Sequence, residues 1–244
     1  VVPRKAQTDV DRPMKPATIR KLPKAGWLNG AARILLSLQK KPAPSRFLEY
    51  QTKTMLRLPF DGEWYVFWGG RSVRQNRHAV VPNQRFAYDF LILKDGQSFH
   101  GTGESNDDYY CFGQPIYAPG AGLVVAAAGE FQDNLPGVMD AKQPLGNYVL
   151  LDHGNGEFSF IAHLRQGSVR VQAGNRVEAG TLLGACGNSG HSSEPHLHFH
   201  LQNTSVLSRG EGLPAFFCNY VVRGKTVARG EPIARQTVRH AAGP

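Results

Sequence analysis

Long hydrophobic runs are missing from this 244-residue chain. No segment approaches the ~18 consecutive apolar residues that a membrane-crossing helix needs, so a soluble chain without a transmembrane segment is expected. Cysteine is scarce: Cys111, Cys186 and Cys218 are the whole set, and none forms a C-x-x-C pair, which argues against a thiolate zinc cage. The odd count leaves at least one thiol outside any disulfide, and the sequence does not choose a pair. Acidic residues are almost absent from the first 57 positions, where Asp9, Asp11 and Glu49 face 13 Lys or Arg, a net of +10. The remainder carries 15 basic and 16 acidic residues, so the overall +9 belongs to the N-terminal arm. Such an arm suits an anionic envelope polymer or a membrane surface. Aromatics interleaved with its basic residues are lacking too, Trp27 being the only one before Phe47, which argues against nucleic acid. The chain begins at Val1 with neither an initiator Met nor a signal-peptide pattern; a trimmed leader is one reading of that start.

What the chain does have is punctuation. Twenty-seven Gly and 16 Pro break it into short apolar runs, which suits many strands and turns better than long helices. Residues 1–57 read as a basic arm, draped or disordered to about residue 25. It carries one amphipathic helix over 27–39, with Trp27, Leu28, Ala31, Ala32, Leu35 and Leu36 at helical spacing. From Leu58 the period changes. Strand-like runs follow at 64–68, 85–93, 116–127, 147–152, 157–164, 168–171, 181–185 and 196–202. The fold class expected is all-β, antiparallel sheets forming a sandwich or open barrel over 58–202. The loops 96–115 and 131–144 could wall a cleft. Residues 203–244 read as a C-terminal hairpin or wrap-around tail, with 215–217 and 220–222 as its strand-like pieces.

The stretch Gly187-Asn188-Ser189-Gly190-His191-Ser192-Ser193-Glu194-Pro195-His196-Leu197-His198-Phe199-His200-Leu201 stands out. On a strand, His196, His198 and His200 share one face and Leu197, Phe199 and Leu201 the other. Neutral imidazole carries a donor and an acceptor, so three on one face fill a core poorly. They are well suited to holding a metal beside a proton-transfer group. The bland reading, edge-strand histidines facing water, fits one such residue better than three. Two other polar groups sit inside apolar runs. Asp89 lies in Phe86-Ala87-Tyr88-Asp89-Phe90-Leu91-Ile92-Leu93, where a carboxylate needs a cation to be buried cheaply. His163 ends Phe158-Ser159-Phe160-Ile161-Ala162-His163-Leu164.

Together these residues resemble the lysostaphin-type zinc metallopeptidases, duplicated-hybrid-motif hydrolases that cut peptide bridges in bacterial cell walls. Ile161-Ala162-His163-Leu164 is similar to that family's Y-A-H-L strand end, and Gly187 to Phe199 to its G-x-S-G…H-L-H-F segment. Residues 117–124 are similar to its A-P-x-x-G-x-V turn, and residues 174–184 to its G-x-x-V-x-x-G-x-x-x-G stretch. The resemblance covers about residues 85–202. It implies Zn²⁺ as cofactor with His198 and Asp89 as ligands, and His196 and His163 as flanking catalytic histidines. It also implies peptidoglycan peptide as substrate and a periplasmic or secreted location.

The family pattern expects histidine four residues before the aspartate. Here that position is Arg85, which stays protonated and has no lone pair for a metal. If it faced the site it could take Asp89 as a forked ion pair. Two outcomes are open. Arg85 points elsewhere and His78 folds back as the third ligand, although His78 reads equally well as a solvated loop histidine. Alternatively the metal site is lost, and the domain binds wall peptide or a partner protein without cutting. Arg85 and His200 are placed just behind the ligands. His191, His100 and His153 are more often structural or exposed. A β module without chemistry, carbohydrate-binding or lipoyl-like, is the third possibility, and the coincidence of Asp89, His163, His196 and His198 speaks against it.

Overall fold

A computed structural model describes residues 41–241. The arm before residue 41 and the helix expected over 27–39 lie outside the described residues. Alternating apolar side chains, β-branched residues and aromatics pair into strands from Trp64 onward. In chain order these are β1 (Trp64–Trp68), β2 (Tyr88–Leu91), β3 (Pro115–Tyr117), β4 (Gly122–Ala128), β5 (Asn147–Asp152), β6 (Phe158–Leu164) and β7 (Arg176–Val177). They continue with β8 (Leu182–Ala185), β9 (Leu197–Gln202), β10 (Gly212–Leu213), β11 (Phe217–Val222), β12 (Lys225–Gly230) and β13 (Thr237–His240). Only short 3₁₀ turns interrupt them among the described residues, and no helix there is long and apolar enough to cross a membrane.

Eleven strands form one sheet in the order β12-β11-β13-β1-β2-β9-β6-β5-β4-β7, with β10 pairing the edge of β9, while β3 and β8 form a second, two-stranded sheet. All named strand pairs are antiparallel, so the all-β expectation holds. Several boundaries differ from the sequence reading. Residues 168–171 form no strand, since Arg170 makes a single backbone bond to Leu183 without a ladder. The run 116–127 splits at Pro119 and Gly120 into β3 and β4. After residue 202 the chain adds β10 to β13 to the same sheet. There β12 is an edge strand, largely exposed and carrying Lys225 and Arg229, and β13 buries only Val238. Residues 50–57 are also stitched to this body. The Glu157 carboxylate accepts from Lys53 N (2.6 Å), Thr54 N (2.8 Å), Tyr50 Oη (2.8 Å) and the Thr54 hydroxyl.

The centre of the sheet is β9, buried along its whole length between β2 and β6. Leu197, Phe199 and Leu201 enter a core built from Phe60, Trp64, Tyr88, Phe90 and Phe217. Phe90 meets Phe60 edge-on at 5.0 Å and stacks on Tyr88 at 5.3 Å. The opposite face of β9 carries His198, His200 and Gln202, so one strand anchors the core and supplies polar groups together. Truncating the core side alone, Phe90→Ala, is expected to cost about 3–5 kcal/mol of stability, read from the denaturant midpoint at unchanged m-value. A loss below ~1 kcal/mol would show that the aromatic cluster does not hold β2 against β9.

Candidate functional site

In antiparallel sheets, directly opposed residues project to the same face. The register of β2 on β9 sets Asp89 opposite His198, and β6 on β9 sets Ala162 opposite His198. Strict alternation would then send His163 to the other face. Instead Ala162 and Leu164 pair with Tyr148 and Asn147, leaving His163 as the extra residue of a bulge, with φ +62°. A left-handed conformation at a non-glycine residue is strained, and bulges of this kind re-aim side chains beside functional sites. The ring of His163 therefore comes to 4.8 Å from His196 and 5.6 Å from His198, centroid to centroid.

His78 arrives from a different direction. The buried Asn76 amide donates to Gly70 O (3.2 Å) and Ala87 O (3.0 Å), and its oxygen accepts from His78 N at 3.0 Å. This pins the 3₁₀ turn Arg77–Val80 over the start of β2. His78 Nε2 lies 2.9 Å from Asp89 Oδ2, and His198 Nδ1 lies 2.8 Å from Asp89 Oδ1. One donor atom from each of His78, Asp89 and His198 lies within 4.8 Å of the others, so these three residues could hold a metal ion. Imidazole nitrogen and carboxylate oxygen are a donor set that suits Zn²⁺.

Two rings flank this group. His196 Nδ1 lies 2.8 Å from Glu194 O, and its Nε2, buried and without a hydrogen bond, sits 3.6 Å from Asp89 Oδ1. His163 Nδ1 lies 2.9 Å from Ser189 O. The approach loop needs its glycines: a Cβ on Gly187 would meet the Arg165 backbone at 2.4 Å, and Gly190, at φ +77°, abuts Gly146 N. A cavity of about 310 Å³ opens over the cluster. Arg77, His78, Val81 and Gln84 line one side, and Pro144, Leu145, His163 and His191 the other.

Arg85 is not brought to the site. Its Nε donates to Ala43 O at 2.9 Å and its Nη1 to Arg71 O at 2.7 Å, with the guanidinium over the Phe86 ring. His200 does stand beside His198, their Nδ1 and Nε2 3.0 Å apart. The second cleft loop reaches the cavity through Pro144, whereas no residue of 96–115 lines it. That loop braces from behind, Ser98 on Glu194 and Asn106 on Asn134. His153 is held between Ala121 O and Ser159, away from the cluster, and His100 stacks on Tyr110. Arg77 escaped the sequence reading. Its Nη2 lies 3.4 Å from Asp89 Oδ2, and its place directly before His78 is the signal that could have found it.

The electrostatics are those of a desolvated cluster. Burial alone would raise the Asp89 carboxyl, but His78, His196 and the hydrogen bonds from His198 and His78 hold it well below the usual range. Burial pushes His198 down to about 4 against the pull of Asp89. Burial, aided by neighbouring rings, also holds His163 and His200 well below the ordinary histidine value. The unfolded chain binds protons at these histidines near pH 6.5, whereas the folded chain does not until about 4 at His198. Stability of chelator-treated protein should therefore fall as pH drops through that window, and Asp89 adds a loss of the same sign at lower pH. Denaturant midpoints across pH 7 to 4 check this, and a midpoint that rises on acidification would contradict it.

Comparison with known proteins matches residues 108–209 to Peptidase family M23. This stretch contains His163, His196, His198 and His200, while His78 and Asp89 precede it. The peptidoglycan DD-endopeptidase ShyA of Vibrio cholerae is 34% identical over 149 residues, 58% of this chain but 30% of that protein. The chain thus spans less than a third of that relative's length. The DD-carboxypeptidase/endopeptidase Mpg of Neisseria meningitidis is 41% identical over 54 residues, 22% of this chain and 12% of that protein. Among solved structures, the catalytic domain of lysostaphin from Staphylococcus simulans aligns with TM-score 0.36 and 23% identity, covering 62% of this chain and 88% of that one. Residues 108–209, which hold four of the histidines gathered here, are thus similar to Peptidase family M23.

Proposed function

We propose that the chain is a zinc-dependent endopeptidase that hydrolyses peptide cross-links of bacterial peptidoglycan in the cell envelope. The observation that carries the reading is the convergence of His78, Asp89 and His198 from three separate elements on one point beneath an open cavity. The donor set fits the metal. Two imidazole nitrogens and an ionised, buried carboxylate supply three protein ligands, the number typical of catalytic zinc sites. The match of residues 108–209 to Peptidase family M23 and the peptidoglycan endopeptidases among the similar proteins support the substrate class.

Bound there, zinc supplies Lewis acidity, bringing the pKa of a water molecule to about 7 and polarising an amide carbonyl. The chain's own groups would do the rest. His196 and His163 each commit Nδ1 to a backbone carbonyl, so in the neutral ring Nε2 is the proton-accepting atom. Between them they can take the proton of the attacking water, hold it against the carbonyl oxygen as it becomes negative, and release it to the leaving amine. Val81, Pro144 and Leu145 wall the cavity with apolar surface and strengthen these interactions by excluding water. With Arg85 turned onto Ala43 and Arg71, the reading of a carboxylate-gripping, non-cutting domain loses the group it relied on.

Purified full chain digesting isolated, cross-linked sacculi should release shortened cross-links, followed by chromatography of the muropeptides. His196→Ala or His163→Ala should lower kcat by about 10²–10⁴-fold with zinc retained. His198→Ala and His78→Ala should lose the metal, whereas Arg85→Lys should keep it. A wild-type chain that holds about one equivalent of zinc yet leaves sacculi intact would overturn the substrate assignment, and one that cannot be loaded at neutral pH would overturn the metal assignment.

A further inference from the structure

Among the described residues, the wall of the cavity over the cluster carries one permanent charge, the guanidinium of Arg77, and no acidic side chain lines it. Apolar walls concentrate the field of such a charge, and Val81, Pro144 and Leu145 supply them. Most donors of this guanidinium are uncommitted. A guanidinium is a fork of several N–H groups, yet Arg77 makes a single polar contact among the described residues, Nη2 to Asp89 Oδ2 at 3.4 Å. His198 and His78 stand closer to the same carboxylate, at 2.8 and 2.9 Å. Glu194, on the approach to β9, accepts from Ser98 at 3.3 Å and does not line the cavity. An arginine placed only to neutralise Asp89 would commonly face it with both arms of the fork.

The backbone fixes the root of this side chain from both directions. Asn76 N donates to Ser72 O at 2.9 Å, and Asn76 Oδ1 accepts from His78 N at 3.0 Å. Farther along the turn, Val81 N donates to His78 O at 2.8 Å, and Ala43 N braces Ala79 O at 2.7 Å. Arg77 therefore starts from a held position beside His78 and reaches the cavity with 46% of its side chain exposed. A positioned cation with free donors on the wall of a cleft is a receptor for an anion, and the planar fork matches a carboxylate best.

We propose that Arg77 is a specificity-determining residue that grips a free carboxylate of the peptide substrate close to the bond that is cut. The inference rests on the endopeptidase reading and narrows its substrates to acidic peptides. The geometry also sets the spacing. A carboxylate bonded at about 2.8 Å on the open side of the guanidinium would lie roughly 6 Å from Asp89 Oδ2. That distance is less than about two residues of extended chain, so the carboxylate and the cleaved amide belong to the same residue or to neighbours. Two sources offer this group, the C-terminus of a peptide strand and an acidic side chain beside the bond.

The test uses the zinc-loaded full chain and cross-linked dimeric muropeptides in three forms. One has all carboxylates free, one has the C-terminal carboxylate nearest the cleaved bond amidated, and one has the nearest side-chain carboxylate amidated. For wild type, one of the two amidations should raise KM about 10–100-fold with kcat little changed, the range of a hydrogen bond to a charged group. The form affected names the source of the carboxylate. Arg77→Gln should raise KM for the free peptide by a similar factor, leave KM for the sensitive amidated form unchanged, and keep the zinc content of wild type. Arg77→Lys should recover part of the loss, since it restores the charge without the fork. If wild type treats the three forms alike, or Arg77→Gln weakens all of them equally or none, the proposal falls while the endopeptidase reading survives. If zinc-loaded wild type cuts no form, the endopeptidase reading itself falls.

Discussion

A carboxylate buried on the face of a sheet has to be met by positive charge, and that requirement organises this molecule around Asp89. Its side chain is 2% exposed, and bare burial of an ionised carboxylate would be prohibitive. The sheet meets the requirement by register: β2 lies on β9 so that His198 stands directly opposite Asp89. A turn fixed by the buried Asn76 brings His78 to the second carboxylate oxygen. Arg77 approaches that same oxygen from the cavity rim. Core and site are thus not separable designs, because slipping β9 by one residue would expose Leu197, Phe199 and Leu201 and remove His198 from Asp89 together.

Much of this was legible in the residues. The alternation of His and apolar groups from His196 to Leu201 announces both the strand and its two faces, and the ionisable Asp89 inside an aromatic run marks where charge compensation must occur. Other parts were written in geometry that side-chain pattern does not encode. His163 reaches the site only because a bulge breaks the two-residue period, and nothing in Phe158–Leu164 signals that break. His78 and Arg77 depend on a 3₁₀ turn whose capping partner, Asn76, is visible, yet its bonds to Gly70 and Ala87 are tertiary. Strand β12 escaped notice because an exposed edge strand with Lys225 and Arg229 carries little apolar periodicity, and β13 because its four residues hold one buried apolar side chain, Val238.

The arginine at position 85 illustrates how the same residue changes meaning with direction. Pointed inward it would have claimed Asp89, but as folded it ties the incoming segment at Ala43 to the loop at Arg71. The entry of the described chain is also linked to the cavity wall by Ala43 N donating to Ala79 O, one residue from His78. With arginine at position 85 turned away, the ligand candidate beside Asp89 comes from the 3₁₀ turn before the strand, at His78.

The proposed grip of His78, Asp89 and His198 on one divalent ion is tested most directly by anomalous scattering from crystals of the zinc-loaded chain, recorded on both sides of the zinc edge. A single strong peak bonded to His78 Nε2, His198 Nδ1 and an Asp89 oxygen is expected, with zinc–nitrogen distances of about 2.0–2.1 Å. A peak at other residues, or none at this cluster with the Arg77 guanidinium settled on Asp89, would contradict it.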